Sequence, residues 1–253
     1  MIIGVLGGIG AGKSTVVRLL SEEAPRRLAP CGQPQRAIVT VIDADALAHQ
    51  ALETKATGKQ LRERFGPEVF SADGRADRQA LAQRVFTDQE QLQQLEAIVH
   101  PVVRSAIRSQ LDAFREQSAD DEPERGGVAR LCILDVPLLA SSPLRDECDE
   151  ILFVDTDWSV RESRVIERRS WAPGELERRE RYQVPLAEKR AMANAVVDNS
   201  KGEEATREQV IAYLDRLAQP GKTDTTSECA REAASEAHSQ TRFKTDAERG
   251  KSN

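Results

Sequence analysis

The run Gly7-Gly8-Ile9-Gly10-Ala11-Gly12-Lys13-Ser14 follows directly on the strand-like Ile2 to Leu6 and opens a helical pattern from Ser14 to Glu23. It satisfies G-x-x-x-x-G-K-[ST] in the setting that motif requires, between a buried strand and a helix. The residue types match one chemistry. Glycines permit backbone with positive φ, so that consecutive N–H groups turn inward around a phosphate. The helix that begins near Lys13 aims its positive dipole end at the same anion. Lys13 would reach the β- and γ-phosphates, and the Ser14 hydroxyl would ligate Mg²⁺. Gly8, Gly10, Ala11, Gly12, Lys13, Ser14 and Thr15 are therefore the candidate nucleotide-binding residues.

The rest of the chain supplies the architecture such a loop needs. Ile2 to Leu6, Ile38 to Ile42, Leu131 to Val136, Ile151 to Val154 and the weaker Ala195 to Val197 are short runs rich in Val, Ile and Leu. Runs of this kind suit strands buried on both faces of a parallel sheet. Helical patterns at Ser14 to Glu23, Ala44 to Thr54, Leu92 to Phe114, Val160 to Arg169 and Thr206 to Leu217 alternate with them. The fold class expected is α/β, a five-stranded parallel sheet flanked by helices.

From Thr54 to Arg115 there is no strand-like run, only helical pattern with turns at Gly66-Pro67 and Asp73-Gly74. That length predicts a helical lobe over about 55–115, inserted between the second and third strands, with Phe65, Phe70 and Phe86 as its core. Pro25 to Gln35 and the acidic Gln117 to Arg130 read as loops. The organisation expected is one domain over 1–217, its core at 1–54 and 130–217, with a lid near 160–190. From Gln219 onward six basic and six acidic residues surround a single large hydrophobe, Phe243. Such a composition cannot offset its ordering entropy, which predicts a disordered tail over 218–253.

Composition narrows the partners. Lys and Arg number 36 against 42 Asp and Glu, a net charge of −6, so no basic nucleic-acid footprint covers the chain. No apolar run approaches the roughly 18 residues that span a bilayer, and Met1 to Leu6 lacks the basic region of a signal peptide. Cys31, Cys132, Cys148 and Cys229 have wide spacings without C-x-x-C and read as ordinary thiols of a reducing compartment. The expectation is a cytoplasmic protein without membrane or nucleic-acid partners, a monomer or weak homo-oligomer.

Two further groups carry chemistry. Val41-Ile42-Asp43-Ala44-Asp45 puts two carboxylates at the carboxyl end of the second strand, where open α/β sheets place their ligands. On an extended segment both would face one side. One of them is expected to cap the following helix and the other to accept a proton from an attacking hydroxyl. His49, one helical turn beyond Asp45, stands near enough to touch a substrate. Arg161, Arg164 and Arg168 recur at helical spacing, and three like charges on one face are unfavourable unless a polyanion visits. The competing reading is a solvated basic face balanced by Glu162 and Glu167. An N-K-x-D base-reading motif is absent, and Leu131 to Asp135 ends in one acid rather than the pair of a motor ATPase. A small-molecule kinase fits best.

Taken in order, the P-loop, Ile42-Asp43-Ala44-Asp45, Phe65-Gly66, Asp73-Gly74 with Arg78 and Leu81, His100-Pro101, Asp135-Val136-Pro137-Leu138-Leu139 and Val197-Asp198-Asn199 resemble the dephospho-CoA kinases. Arg179 to Lys189 is similar to that family's R-x-x-x-Q-x-P…K stretch. The resemblance covers roughly residues 1–217. It implies transfer of the ATP γ-phosphoryl group to the ribose 3′-hydroxyl of dephospho-CoA, giving CoA and ADP. It implies Asp45 as general base, Lys13 and Arg164 as catalytic cations, and Asp43, His49, Arg78 and His100 as contacts to the acceptor held by the lobe. The cofactor set implied is ATP as co-substrate with Mg²⁺. The chain departs from the family in having Ala140-Ser141 where an aromatic and a Glu follow P-L-L, and Ala193-Asn194 where Ala-Asp precedes the last strand. Two rivals stay open on the sequence: another small-molecule or nucleotide kinase of this fold, and a non-catalytic nucleotide-binding protein.

Overall fold

The computed structural model describes residues 1–29, 37–86, 88–119 and 128–219. The expectations for 30–35, for 120–127 and for the tail from 220 onward lie outside the described residues, as does the Phe86 side chain.

Five strands form one sheet in the order β2-β3-β1-β4-β5, each neighbouring pair parallel. They are β1 (Ile2–Gly7), β2 (Ala37–Asp43), β3 (Ala129–Asp135), β4 (Glu150–Asp155) and β5 (Ala195–Asp198), matching the five apolar runs. Side-chain alternation divides the central strands between two cores. Ile2 and Leu6 of β1 join Cys132 and Leu134 of β3 on one face, whereas Ile3 and Val5 join Leu131 and Ile133 on the other. The first face is covered by α2 (Ala44–Glu53) and α5 (Gln89–Ala119), the second by α1 (Lys13–Arg27) and α9 (Glu203–Leu217). β2 is an edge strand, so its Ile38 and Val41 reach solvent instead of being buried on both faces.

The inserted segment is helical as expected: α3 (Lys55–Phe65), a 3₁₀ turn at Pro67–Val69, α4 (Arg78–Phe86) and α5. It has a small core of its own, Leu61, Phe65, Val69, Leu81 and Val85, with Phe70 packed at its margin. Two helices outrun the sequence reading. α1 continues through Pro25 to Arg27, where a loop is expected, and α5 runs 31 residues straight through Pro101. Pro101 costs about 3 kcal/mol in a helix interior. Val99, Val103, Ile107, Leu111 and Phe114 form one buried stripe along α5, and each such side chain contributes about 1.5–3 kcal/mol. Packing outweighs the proline. His100 is therefore an exposed mid-helix residue.

Two 3₁₀ turns, Leu139–Ser141 and Pro143–Glu147, join β3 to β4, and three helices join β4 to β5: α6 (Trp158–Arg169), the short α7 (Glu175–Glu180) and α8 (Leu186–Ala191). They occupy the span expected for the lid.

Candidate active site

The loop after β1 closes with the amide of Ala11 donating to Gly8 O at 3.3 Å, and α1 starts with Thr15 and Val16 amides on Gly12 O at 3.0 and 3.2 Å. Gly10 and Gly12 have φ of 75° and 82°, a region that side chains resist and that turns successive peptides over. All seven candidate nucleotide-binding residues, Gly8, Gly10, Ala11, Gly12, Lys13, Ser14 and Thr15, lie on this loop or in the first turn of α1. Lys13 folds back over the loop, its Nζ donating to Gly8 O at 3.3 Å. Burial pushes its pKa down, opposed in part by the negative charges of Asp135, Asp45 and Glu180. The Ser14 hydroxyl is exposed, with no hydrogen bond to another described residue.

Asp45 and Asp135 act on Lys13, and Asp43 stands next to Asp135 in the sheet; the sequence reading singled out Asp43 and Asp45. Asp43 ends β2 and caps α2: its Oδ1 accepts from the amides of Asp45 and Ala46 at 2.9 and 3.0 Å. Asp45 sits inside the first turn of α2, not on an extended segment, so only the Asp43 carboxylate serves the cap, with the Asp45 amide as one of its donors. Its side chain is exposed and makes no hydrogen bond or ion pair with a described residue. The third acid, Asp135, ends β3 and is the register partner of Asp43. Burial pushes the Asp135 carboxyl up, Lys13 draws it down, and Asp43 and Asp45 push it further up. The signal for Asp135 was available: an apolar strand ending in an acid.

Along α2, Asp45, His49 and Glu53 are exposed and follow at four-residue intervals on one face. Glu53 meets Arg78 of α4 at 3.9 Å. The stripe thus leads from the acids to the inserted lobe and brings in Arg78. No hydrogen bond or ion pair joins His100 to another candidate residue.

The arginines of α6 part company. Arg164 grips the outer side of the P-loop, with Nη1 donating to Gly10 O and Ala11 O at 3.4 and 3.3 Å and Nη2 to Asn199 O at 2.9 Å. Desolvation and the neighbouring Arg168 charge lower its pKa. Arg161, expected on the same phosphate-facing stripe, is only 3% exposed. Its Nε donates to Thr156 O, and its Nη1 to Ile9 O at 3.3 Å and to Glu180 Oε1 at 2.5 Å. Glu180 in turn accepts from the Ile9 amide at 3.2 Å. Arg161 is spent on holding the lid to the loop, because a buried guanidinium needs a counterion and acceptors. In the R-x-x-x-Q-x-P…K stretch, Arg179 stacks on Trp171 at 4.2 Å. Gln183 accepts from the buried Lys189 at 2.8 Å, and burial lowers the Lys189 pKa.

The sequence model of the dephospho-CoA kinase family matches residues 1–204, the span that holds the phosphate cradle, Asp45 and α6. The chain belongs to that family. A dephospho-CoA kinase of Symbiobacterium thermophilum is 38% identical over 83% of this chain and 79% of its own. One from Geobacillus kaustophilus is 34% identical over 85% of this chain and 95% of its own. Among solved structures, a Thermus thermophilus protein at 33% identity superposes with a TM-score of 0.61 over 87% of this chain and 98% of its own. As in other dephospho-CoA kinases, the chain is a kinase with a P-loop. Among the described residues no helix is long and apolar enough to cross a membrane.

Proposed function

We propose that this chain phosphorylates the ribose 3′-hydroxyl of dephospho-CoA with ATP, giving CoA and ADP, the last step of coenzyme A biosynthesis. The observation that carries this reading is Asp45, an unpaired carboxylate in the first turn of α2, two residues past the end of β2, whose negative charge acts on Lys13. Its neighbour Asp43 has its Oδ1 committed to the cap. Asp45 accepts the proton of the attacking hydroxyl, a role for which such positioned carboxylates suit kinases. Lys13 and the loop amides hold the triphosphate in line. Arg164 leaves the loop carbonyls to meet the transferring phosphoryl group. The α2 stripe, with His49 and Arg78, guides the acceptor, and Asp43 acts through the cap; His100 stands at the lobe's surface as a further contact.

The donor set fits Mg²⁺: a free Ser14 hydroxyl and the Asp135 carboxylate are hard oxygen ligands, and among the described residues no cluster of three acidic, His or Cys side chains forms a complete protein cage. That is the pattern of an ion held mainly by phosphate oxygens and water. When bound, the ion neutralises charge on the phosphates.

Cys132 and Cys148 are free, with burial pushing their thiols up to about 11 and about 12, unreactive thiols that suit the cytoplasm. Purified protein offered ATP with dephospho-CoA, nucleoside monophosphates, shikimate and sugars tests the reading. Turnover confined to dephospho-CoA supports it, and preference for another acceptor sinks it.

A further inference from the structure

We infer that Asn199 is a positioning residue for phosphate binding, setting the orientation of the Gly12 amide through the carbonyl of Ala11. Asn199 follows β5 and is 2% exposed. Its Nδ2 donates to Ala11 O at 2.7 Å. A trans peptide holds a carbonyl and the next N–H antiparallel, so drawing Ala11 O outward aims the Gly12 N–H into the cradle. Gly12, with φ of 82°, stands where a side-chain Cβ would come within 2.2 Å of Asn199 Nδ2. The amide therefore packs directly under the turn it orients.

Other donors reach the same oxygen, but each is shared. The Thr156 hydroxyl lies 2.9 Å from Ala11 O and 2.6 Å from Asp155 O, with one proton for both. Arg164 Nη1 divides itself between Gly10 O and Ala11 O. Asn199 Nδ2 has no second acceptor among the described residues. The amide's orientation follows from its partners: the Ala11 carbonyl can accept only from its nitrogen, and Oδ1 lies 2.9 Å from the buried Thr206 hydroxyl, whose one proton also has Gly202 O within 2.9 Å. Thr206, in the first turn of α9, thus anchors the amide from behind. The Asn199 amide donates to Asp155 O at 2.8 Å and its carbonyl receives Arg164. One residue thereby registers β4, α6, α9 and the P-loop against each other.

The inference rests on the P-loop binding ATP. Its test reads nucleotide and acceptor separately in the full-length protein: Kd of ATP by calorimetry, KM of ATP and of dephospho-CoA, kcat and Tm. Asn199→Asp turns the donor into an anion facing a carbonyl and should weaken ATP binding at least about a hundredfold while leaving the KM of dephospho-CoA within about twofold. Thr206→Val should weaken ATP binding about tenfold by freeing the amide, and Thr206→Ser should restore it. Folded Asn199→Asp or Thr206→Val proteins that bind ATP as wild type does would overturn the inference. So would equal losses for both substrates in step with Tm, including failure of Thr206→Ser to rescue. Wild-type protein that bound no ATP would instead remove the reading on which it rests.

Discussion

Asp43 and Asp135 are direct partners across β2 and β3, yet only Asp43 is solvated by the fold, its Oδ1 taking two backbone amides. Asp135 has no such donors, and burial raises its pKa despite Lys13. A carboxyl whose folded pKa is raised contributes stability below its ordinary value, and that contribution is lost as pH rises through the folded value. Asp135→Asn should therefore raise Tm at neutral pH, with the gain shrinking as pH falls through the raised folded value and gone once pH reaches about 4. The same variant should lose turnover. Melting curves across pH check this, and a lower Tm at neutral pH would refute it.

Asp45→Asn removes the proposed proton acceptor while keeping size and polarity. General-base losses run about 10²- to 10⁴-fold, so kcat should fall by that much with ATP affinity little changed. Asp43→Asn keeps a good N-cap and should be mild, whereas Asp43→Ala should cost about 0.5–2 kcal/mol of stability. A larger kcat loss for Asp43→Asn than for Asp45→Asn would reverse the assignment.

Lys13→Ala should abolish turnover with the fold intact. The side chain's hydrogen bond is one contact to Gly8 O at 3.3 Å, and burial already works against its charge. Circular dichroism and Tm near wild type, beside absent activity, are the expected pair of results; near-normal kcat would end the kinase mechanism.

Arg161 and Glu180 bridge α6 and the end of α7 with side chains 4% and 17% exposed. Removing one partner of a buried pair typically costs about 3–5 kcal/mol, because the other charge stays uncompensated. Arg161→Met and Glu180→Met should each destabilise by about that range, reduced for the solvent that reaches Glu180. The double variant should recover much of the loss. Denaturant unfolding of the four proteins gives the coupling, and additive losses would show that the pair does not act as one.

The strands and the loop were legible because their signals are local. Apolar runs of the right length are buried on both faces in β1, β3 and β4, and glycine spacing alone dictates the turn into α1. The inserted lobe was legible from a long span without strand pattern. α5 was legible as the helical pattern from Leu92 to Phe114, and it tolerates Pro101 because proline's penalty is local while the five buried residues that outweigh it are rewarded once the sheet is in place.

The sequence by itself determined the phosphate cradle, the order of strands and helices, and a pair of acids of which one caps and one is free. Tertiary structure decided which acid does which, since capping depends on where β2 stops and α2 begins. It also recruited Asp135, 92 positions after Asp43 in the chain and beside it in the sheet. It separated Arg161 from Arg164, although helical spacing makes them neighbours, because one guanidinium is buried against Glu180 and the other rests on the loop. Asn199 stands in the sequence only as the end of Val197-Asp198-Asn199, with no role attached to it. Its place under Ala11 is set by parallel pairing of β4 with β5 and by α9 behind it, contacts that exist only after folding.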